Sequence, residues 1–103
     1  MTNTMDDMKG MVQQLQDLQA KVKAAQEELA NETVTGSAAG GKVKVILTGD
    51  QKCRGVEIAP ELLKGGDAVK LQEWLMKSMN DALEASRQLA VKRLGPLAGM
   101  GGK

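Results

Sequence analysis

Between residues 5 and 31 the apolar side chains return every seven positions, at Met8, Leu15, Val22 and Leu29. Met11, Leu18 and Ala25 follow three residues after the first three. That spacing is the a/d seam of a helix that packs on another helix. Gln, Lys, Glu and Asp fill most of the remaining positions, so the stripe is narrow. The pattern predicts one long helix over 5–31, frayed at its start by Gly10, which costs about 1 kcal/mol relative to Ala. Two partners are open to it, the core of its own chain or a second copy. The narrow stripe suits the second better, which makes Met8, Met11, Leu15, Leu18, Val22 and Leu29 an expected dimer seam.

Beyond residue 32 the period changes. Thr33-Val34-Thr35 is a short β-branched run closed by Gly36, and Ser37 to Gly41 is small and Gly-rich, a mobile hairpin loop by composition. Lys42 to Thr48 alternates strictly, with Val43, Val45 and Leu47 on one side. Cys53 to Ile58 returns as a third strand after the turn at Gly49-Asp50-Gln51. Gly55 within it signals a bulge or a close backbone approach. Three strands in hairpin order make an antiparallel meander, which needs a helix on one face to be stable. After Pro60, Glu61-Leu62-Leu63 reads as a single helical turn that stops at Gly65-Gly66. Asp67 is an N-cap for a second long helix reaching about Leu94. Its stripe, from Leu71, Trp74 and Leu75 through Met79, Ala82, Leu83, Ser86, Leu89 and Ala90, is wide enough to cover a sheet. Gly95-Pro96 is read as its stop, with 95–103 a disordered Gly-rich tail behind a single domain of residues 1–94. The fold class is α+β.

Composition alters this picture in one respect. With one Trp, no Phe and no Tyr among 103 residues, the core must be made of aliphatic residues, Met and Ala, which pack less uniquely. A small core beside a projecting arm favours an oligomer. Charge is nearly balanced at +1, far from the basic excess of a dedicated nucleic-acid domain. Its distribution is uneven: residues 1–32 carry −3, and each of 33–66 and 67–103 carries +2. Past Glu84 the chain has Arg87, Lys92, Arg93 and Lys103 and no acid.

Chemistry is excluded more firmly. There is no His and no Tyr, so the commonest general base and the phenolic acid are both missing. Cys53 has no His to activate it and reads as a small hydrophobe, buried or half-buried in its strand. No metal-ligand spacing is present, and the Gly-rich stretch 36–41 lacks the Lys-Ser/Thr and helix of a phosphate loop. No catalytic residue, metal or cofactor is expected. No apolar run approaches the ~18–20 residues of a membrane span, so no membrane partner is expected either. A lone cysteine and an N-terminus without an apolar core suit the cytosol, or a plastid stroma had a presequence been removed.

Several strings fall into a specific order. Ala25-Gln26-Glu27-Glu28-Leu29-Ala30 ends the first helix and Val34-Thr35-Gly36 follows. Gly41-Lys42-Val43-Lys44-Val45 opens the middle strand. Cys53-Arg54-Gly55-Val56-Glu57-Ile58-Ala59-Pro60-Glu61-Leu62-Leu63 closes the sheet, and Asn80-Asp81-Ala82 lies in the second helix. Together these resemble the YbaB/EbfC family of nucleoid-associated proteins over roughly residues 5–94. The resemblance implies a tweezer-like homodimer with a joined β-core and projecting helices. It also implies binding of duplex DNA with little sequence preference, and nucleoid organisation or gene regulation. DNA contact in the family is attributed mainly to basic residues of the long helices, which here match Lys9, Lys21 and Lys23, then Lys70, Lys77, Arg87, Lys92 and Arg93. The chain departs from the family at Gly55, where a second Arg is frequent, at Ala59, where an acid is frequent, and in Leu83-Glu84-Ala85-Ser86, where a basic stretch is common. Each cation also has a plainer reading as a solvated surface charge, and Arg54 as a partner of Glu57 or Glu61. The alternative function is a protein-interaction adaptor or scaffold dimer that uses the Met-rich arm.

Overall fold

The computed structural model describes the backbone of residues 4–101 and the side chains of residues 8–97. Helix α1 (Thr4–Asn31) leads into strands β1 (Thr33–Ala38), β2 (Val43–Thr48) and β3 (Cys53–Ile58). The short helix α2 (Pro60–Lys64) and the long helix α3 (Ala68–Gly101) follow. The strands form one antiparallel sheet in the order β1-β2-β3. This is the α+β helix–meander–helix expected from the hydrophobic pattern.

The core is one face of β2 against one stripe of α3. Val43, Val45 and Leu47, alternating along β2, are buried, and Ala82 of α3 is buried with them. Val34, Met79 and Leu83 close the cluster from the sides. Small residues let helix and sheet approach closely. A Cβ on Gly36 would overlap the Ser78 carbonyl and the Ala82 backbone nitrogen. Ser78, fully buried, donates its Oγ–H to the Val43 carbonyl at 3.3 Å, so the sheet meets no orphan hydroxyl. On the β1 strand, the Ser37 N–H donates to the Asp81 carboxylate at 3.2 Å. The string Asn80-Asp81-Ala82 thus serves to seat α3 on β1.

The structure corrects four expectations. β1 does not close at Gly36 but runs to Ala38, because Gly36 is a close-contact residue within the strand rather than its stop. The loop beyond is a 3₁₀ turn, Ala39–Gly41, with all three residues at positive φ. Cys53 is exposed; it pairs with Leu47, but α3 covers β1 and β2 and leaves β3 beyond its edge. Gly95 and Pro96 do not end α3, which continues to Gly101. Proline removes one hydrogen bond, to the carbonyl of the exposed Lys92, which water can satisfy, and Leu97, Ala98 and Met100 are good helix formers. The tail expected from residue 95 is therefore helical as far as 101, and residues 102 and 103 lie outside the described ones.

Two sequence signals act as expected. The Asp67 carboxylate accepts from the Lys70 N–H at 3.0 Å, capping α3. In β3 the partner of Ile46 is Gly55 and that of Leu47 is Cys53, so Arg54 is the extra residue of a bulge beside Gly55.

The molecule is long, with extents of 80 × 21 × 16 Å and a radius of gyration of 21.1 Å. A compact domain of this length has about 13 Å. The helical arms account for the difference.

Candidate functional site

α1 is anchored only at its C-terminal end. Ala25 and Leu29 are buried, Leu18 and Val22 half-buried, and Met8, Met11, Val12 and Leu15 exposed at 60, 64, 50 and 59%. The last carbonyls of α1 are capped from the β2–β3 turn. The Gly49 N–H donates to the Leu29 carbonyl at 2.9 Å and the Glu32 carbonyl at 3.0 Å. Arg54 reaches the Ala30 carbonyl at 3.4 Å. It pairs with neither Glu57 nor Glu61, since the bulge turns it toward the helix end, where a cation is favoured. Glycine suits this position, because a Cβ would stand 2.9 Å from the Leu29 carbonyl oxygen, which a side-chain rotation cannot relieve.

The seam of α1 is thus divided. Its inner end packs within the chain, where Leu29 and the exposed Gln26 border a cleft of about 530 Å³ closed on the far side by Ala90 and Leu94. Its outer end projects without cover. Of the two partners expected for this stripe, the chain itself takes the inner end, at Ala25 and Leu29.

The eight basic residues of the candidate interface separate into two kinds. Lys9, Lys21, Lys23, Lys70, Lys77 and Lys92 are exposed, and among the described residues none of them forms an ion pair. Arg87 and Arg93 are engaged. Arg87 grips Glu84 through Nε at 3.0 Å and Nη2 at 2.5 Å. Arg93 grips Glu32 in the same two-pronged way, with Nε at 2.9 Å. These hydrogen bonds hold both carboxyls below the ordinary glutamate value and raise both guanidiniums above theirs. Glu84 and Arg87 are neighbours at i,i+3 on one helix, whereas Glu32 and Arg93 are 61 residues apart and meet only through the fold.

The remaining charges hold the scaffold. Lys42 pairs with Glu61 at 3.5 Å across the entry to α2. The Thr48 hydroxyl donates to Asp50 and accepts the Lys52 N–H at 3.0 Å, tightening the β2–β3 turn. Among the described residues no three His, Cys, Asp or Glu side chains converge as metal ligands, and no helix is long and apolar enough to cross a membrane. What the arrangement offers is a rigid sheet core bearing two helical arms studded with unpaired lysines.

Comparison with known proteins bears on what such a scaffold carries. The sequence profile of the YbaB/EbfC DNA-binding family matches residues 5–101. A nucleoid-associated protein of Mycobacterium bovis is 40% identical over 93 residues, covering 90% of this chain and 70% of that one. One from Desulforamulus reducens is 39% identical over 93 residues, covering 90% and 89%, and one from Nocardia farcinica is 38% identical over 95 residues, covering 92% and 86%. In three dimensions the chain is similar to an uncharacterized protein of Helicobacter pylori, with a TM-score of 0.72 at 22% identity over 87% of this chain and 91% of that one. That likeness concerns the fold.

Proposed function

Because the chain belongs to the YbaB/EbfC DNA-binding family, we propose that it works as a homodimeric nucleoid-associated protein gripping duplex DNA by its phosphates. The observation that carries the reading is the row of exposed lysines without carboxylate partners on both long helices. A lysine already neutralised by an acid has no counterion to release from DNA; an unpaired one has. Lys70 and Lys77 are two turns apart on one side of α3, roughly 10 Å along the axis. Lys9 and Lys23 are four turns apart on one flank of α1. Long flexible ammonium groups at such intervals suit a backbone contact and carry no base-reading geometry, so little sequence preference is expected. Its place is the cytoplasm, on the nucleoid, where it would organise DNA or modulate transcription.

What the sheet leaves open supports a homodimer. Val56 and Ile58 pair with Val45 and Val43, so they lie on the face that α3 covers over β1 and β2. There is no cover over β3, and Val56 is 49% exposed. Along α3, Val69 and Met76 are also exposed, in heptad spacing with the half-buried Leu83. A second copy turned by a two-fold axis would bury these surfaces in one joined β-core.

The test is a salt titration of binding to duplexes of unrelated sequence. Binding should fall steeply between about 50 and 200 mM salt and alike for all duplexes. The competing adaptor reading, carried by the exposed methionines of the arm, expects contacts to another protein that barely respond to salt.

A further inference from the structure

The outer seam of α1 remains uncovered after the joined β-core is formed, since that core uses β3 and a flank of α3. Met8, Met11, Val12 and Leu15 are all at least half exposed. A free helical segment of this length is marginal in water without a packed face. Continuity argues for a helical occupant, because the same heptad stripe is already buried against the chain at Ala25 and Leu29.

The free segment, residues 8–18, is complementary to itself when reversed. In an antiparallel pair centred on residue 13, Met8 faces Leu18 of the second copy and Met11 faces its Leu15, and the reverse pairs repeat this arrangement. Every a or d position of one arm then meets an apolar d or a position of the other. On one flank of the pair Val12 lies against its own counterpart, which accounts for an apolar residue just outside the seam. On the other flank Gln14 lies against Gln14. The register ends at Leu18, where the chain's own cover begins. Charge permits the approach: residues 8–20 carry one lysine, Lys9, and one acid, Asp17, so two arms meet without net repulsion.

We propose that this arm is a second self-association surface, through which the α1 helices of two different dimers pair as a short antiparallel coiled coil. The occupant is another copy of this chain. Two separate self-complementary surfaces on one protomer link dimer to dimer. On DNA, neighbouring or distant dimers would be held together, so that binding becomes cooperative or bridging. The pairing itself stands on the arm; only the number of chains in the assembly rests on the β-core dimer proposed above.

Sedimentation of the full chain and two surface variants separates the two ideas. Leu15→Asp strikes the arm and Val56→Asp the open strand, and both residues are exposed, so each variant should fold. At about 100 µM, where micromolar interfaces are filled, the wild type should be a tetramer or larger, and Leu15→Asp should fall to a dimer. Val56→Asp should also be a dimer, held by its arms alone. A wild type that stays dimeric, with Leu15→Asp unchanged and Val56→Asp monomeric, overturns the arm pairing and leaves the β-core dimer standing. A Leu15→Asp monomer beside a Val56→Asp dimer keeps the arm pairing and removes the β-core. A wild-type monomer overturns both, and leaves the arm to a different protein.

Discussion

Arg93 and Glu32, 61 residues apart, clasp each other through two parallel hydrogen bonds and tie the C-terminal part of α3 to the junction of α1 and β1. Each side chain is roughly one-third exposed. The pair joins the two long helices near the sheet, and it occupies the hydrogen-bonding edge of a candidate DNA contact.

The clasp has a pH signature. Its hydrogen bond from Arg93 is the main reason that the Glu32 carboxyl lies below its ordinary value of 4.5. A carboxyl depressed in the folded state favours folding at pH above the unfolded value, and that contribution is lost as pH falls through the folded one. Thermal stability of the wild type should therefore decline below about pH 4.5. Glu32→Gln should be less stable at neutral pH and show a flatter decline in acid. Melting curves across pH 3 to 7, at roughly one-unit steps, check this, and parallel curves for the two proteins would rule the clasp out as a source of acid sensitivity.

Gly36→Ala should be among the most damaging single substitutions. The added methyl overlaps backbone atoms of Ser78 and Ala82, which a rotamer change cannot relieve. The helix must lift from β1, loosening the Ser37–Asp81 hydrogen bond and the Ala82 packing together. A loss of at least about 2 kcal/mol is expected from chemical denaturation. Gly10→Ala, with nothing within 4 Å of the new methyl, should instead gain up to about 1 kcal/mol of local helix stability.

At low protein concentration, where the chain is monomeric, Cys53 should react rapidly with a thiol reagent, since the side chain is exposed on the uncovered strand. Cys53→Ser should keep both the fold and the affinity for DNA. If the β-core dimer buries this strand, the rate of reaction should fall as protein concentration rises, and a rate independent of concentration would argue against that interface.

Much of the fold could be read from periodicity. The switch from a seven-residue repeat to strict alternation, and then to a wide helical stripe, located both long helices and the middle strand, and Asp67 located the start of α3. What periodicity missed was the packing of distant segments on one another. Gly36 looks like a strand stop locally and is a strand residue only because α3 lies against it. Cys53 has the pattern of a buried strand residue, yet α3 is not wide enough to cover the third strand. Gly95-Pro96 has the local chemistry of a helix stop, and the helix passes through it. For the candidate site, the basic residues could be named from sequence, but their availability could not. Whether a cation is free depends on acids that folding brings near, and Glu32 is brought to Arg93 by the whole topology.

That distinction decides the last prediction. By sequence the end of α3, with Arg87, Lys92 and Arg93 and no following acid, is the locally basic stretch expected to touch DNA. In the folded chain Arg87 and Arg93 each spend their hydrogen-bonding edge on a carboxylate, while Lys70 and Lys77 have no such partner. For an arginine to reach a phosphate it must first abandon a two-pronged bond to glutamate, and the glutamate left behind would repel the DNA. Lys70→Gln with Lys77→Gln should therefore weaken binding on every duplex alike and flatten the salt dependence by about 0.9 for each phosphate no longer neutralised. Arg87→Ala with Arg93→Ala should lower the melting temperature and leave the salt slope nearly unchanged. Measuring slope and melting temperature on both double variants separates the two roles. The opposite result, a flattened slope from the arginine pair and none from the lysine pair, would return the DNA-binding surface to the end of α3 and mean that both clasps open when DNA binds.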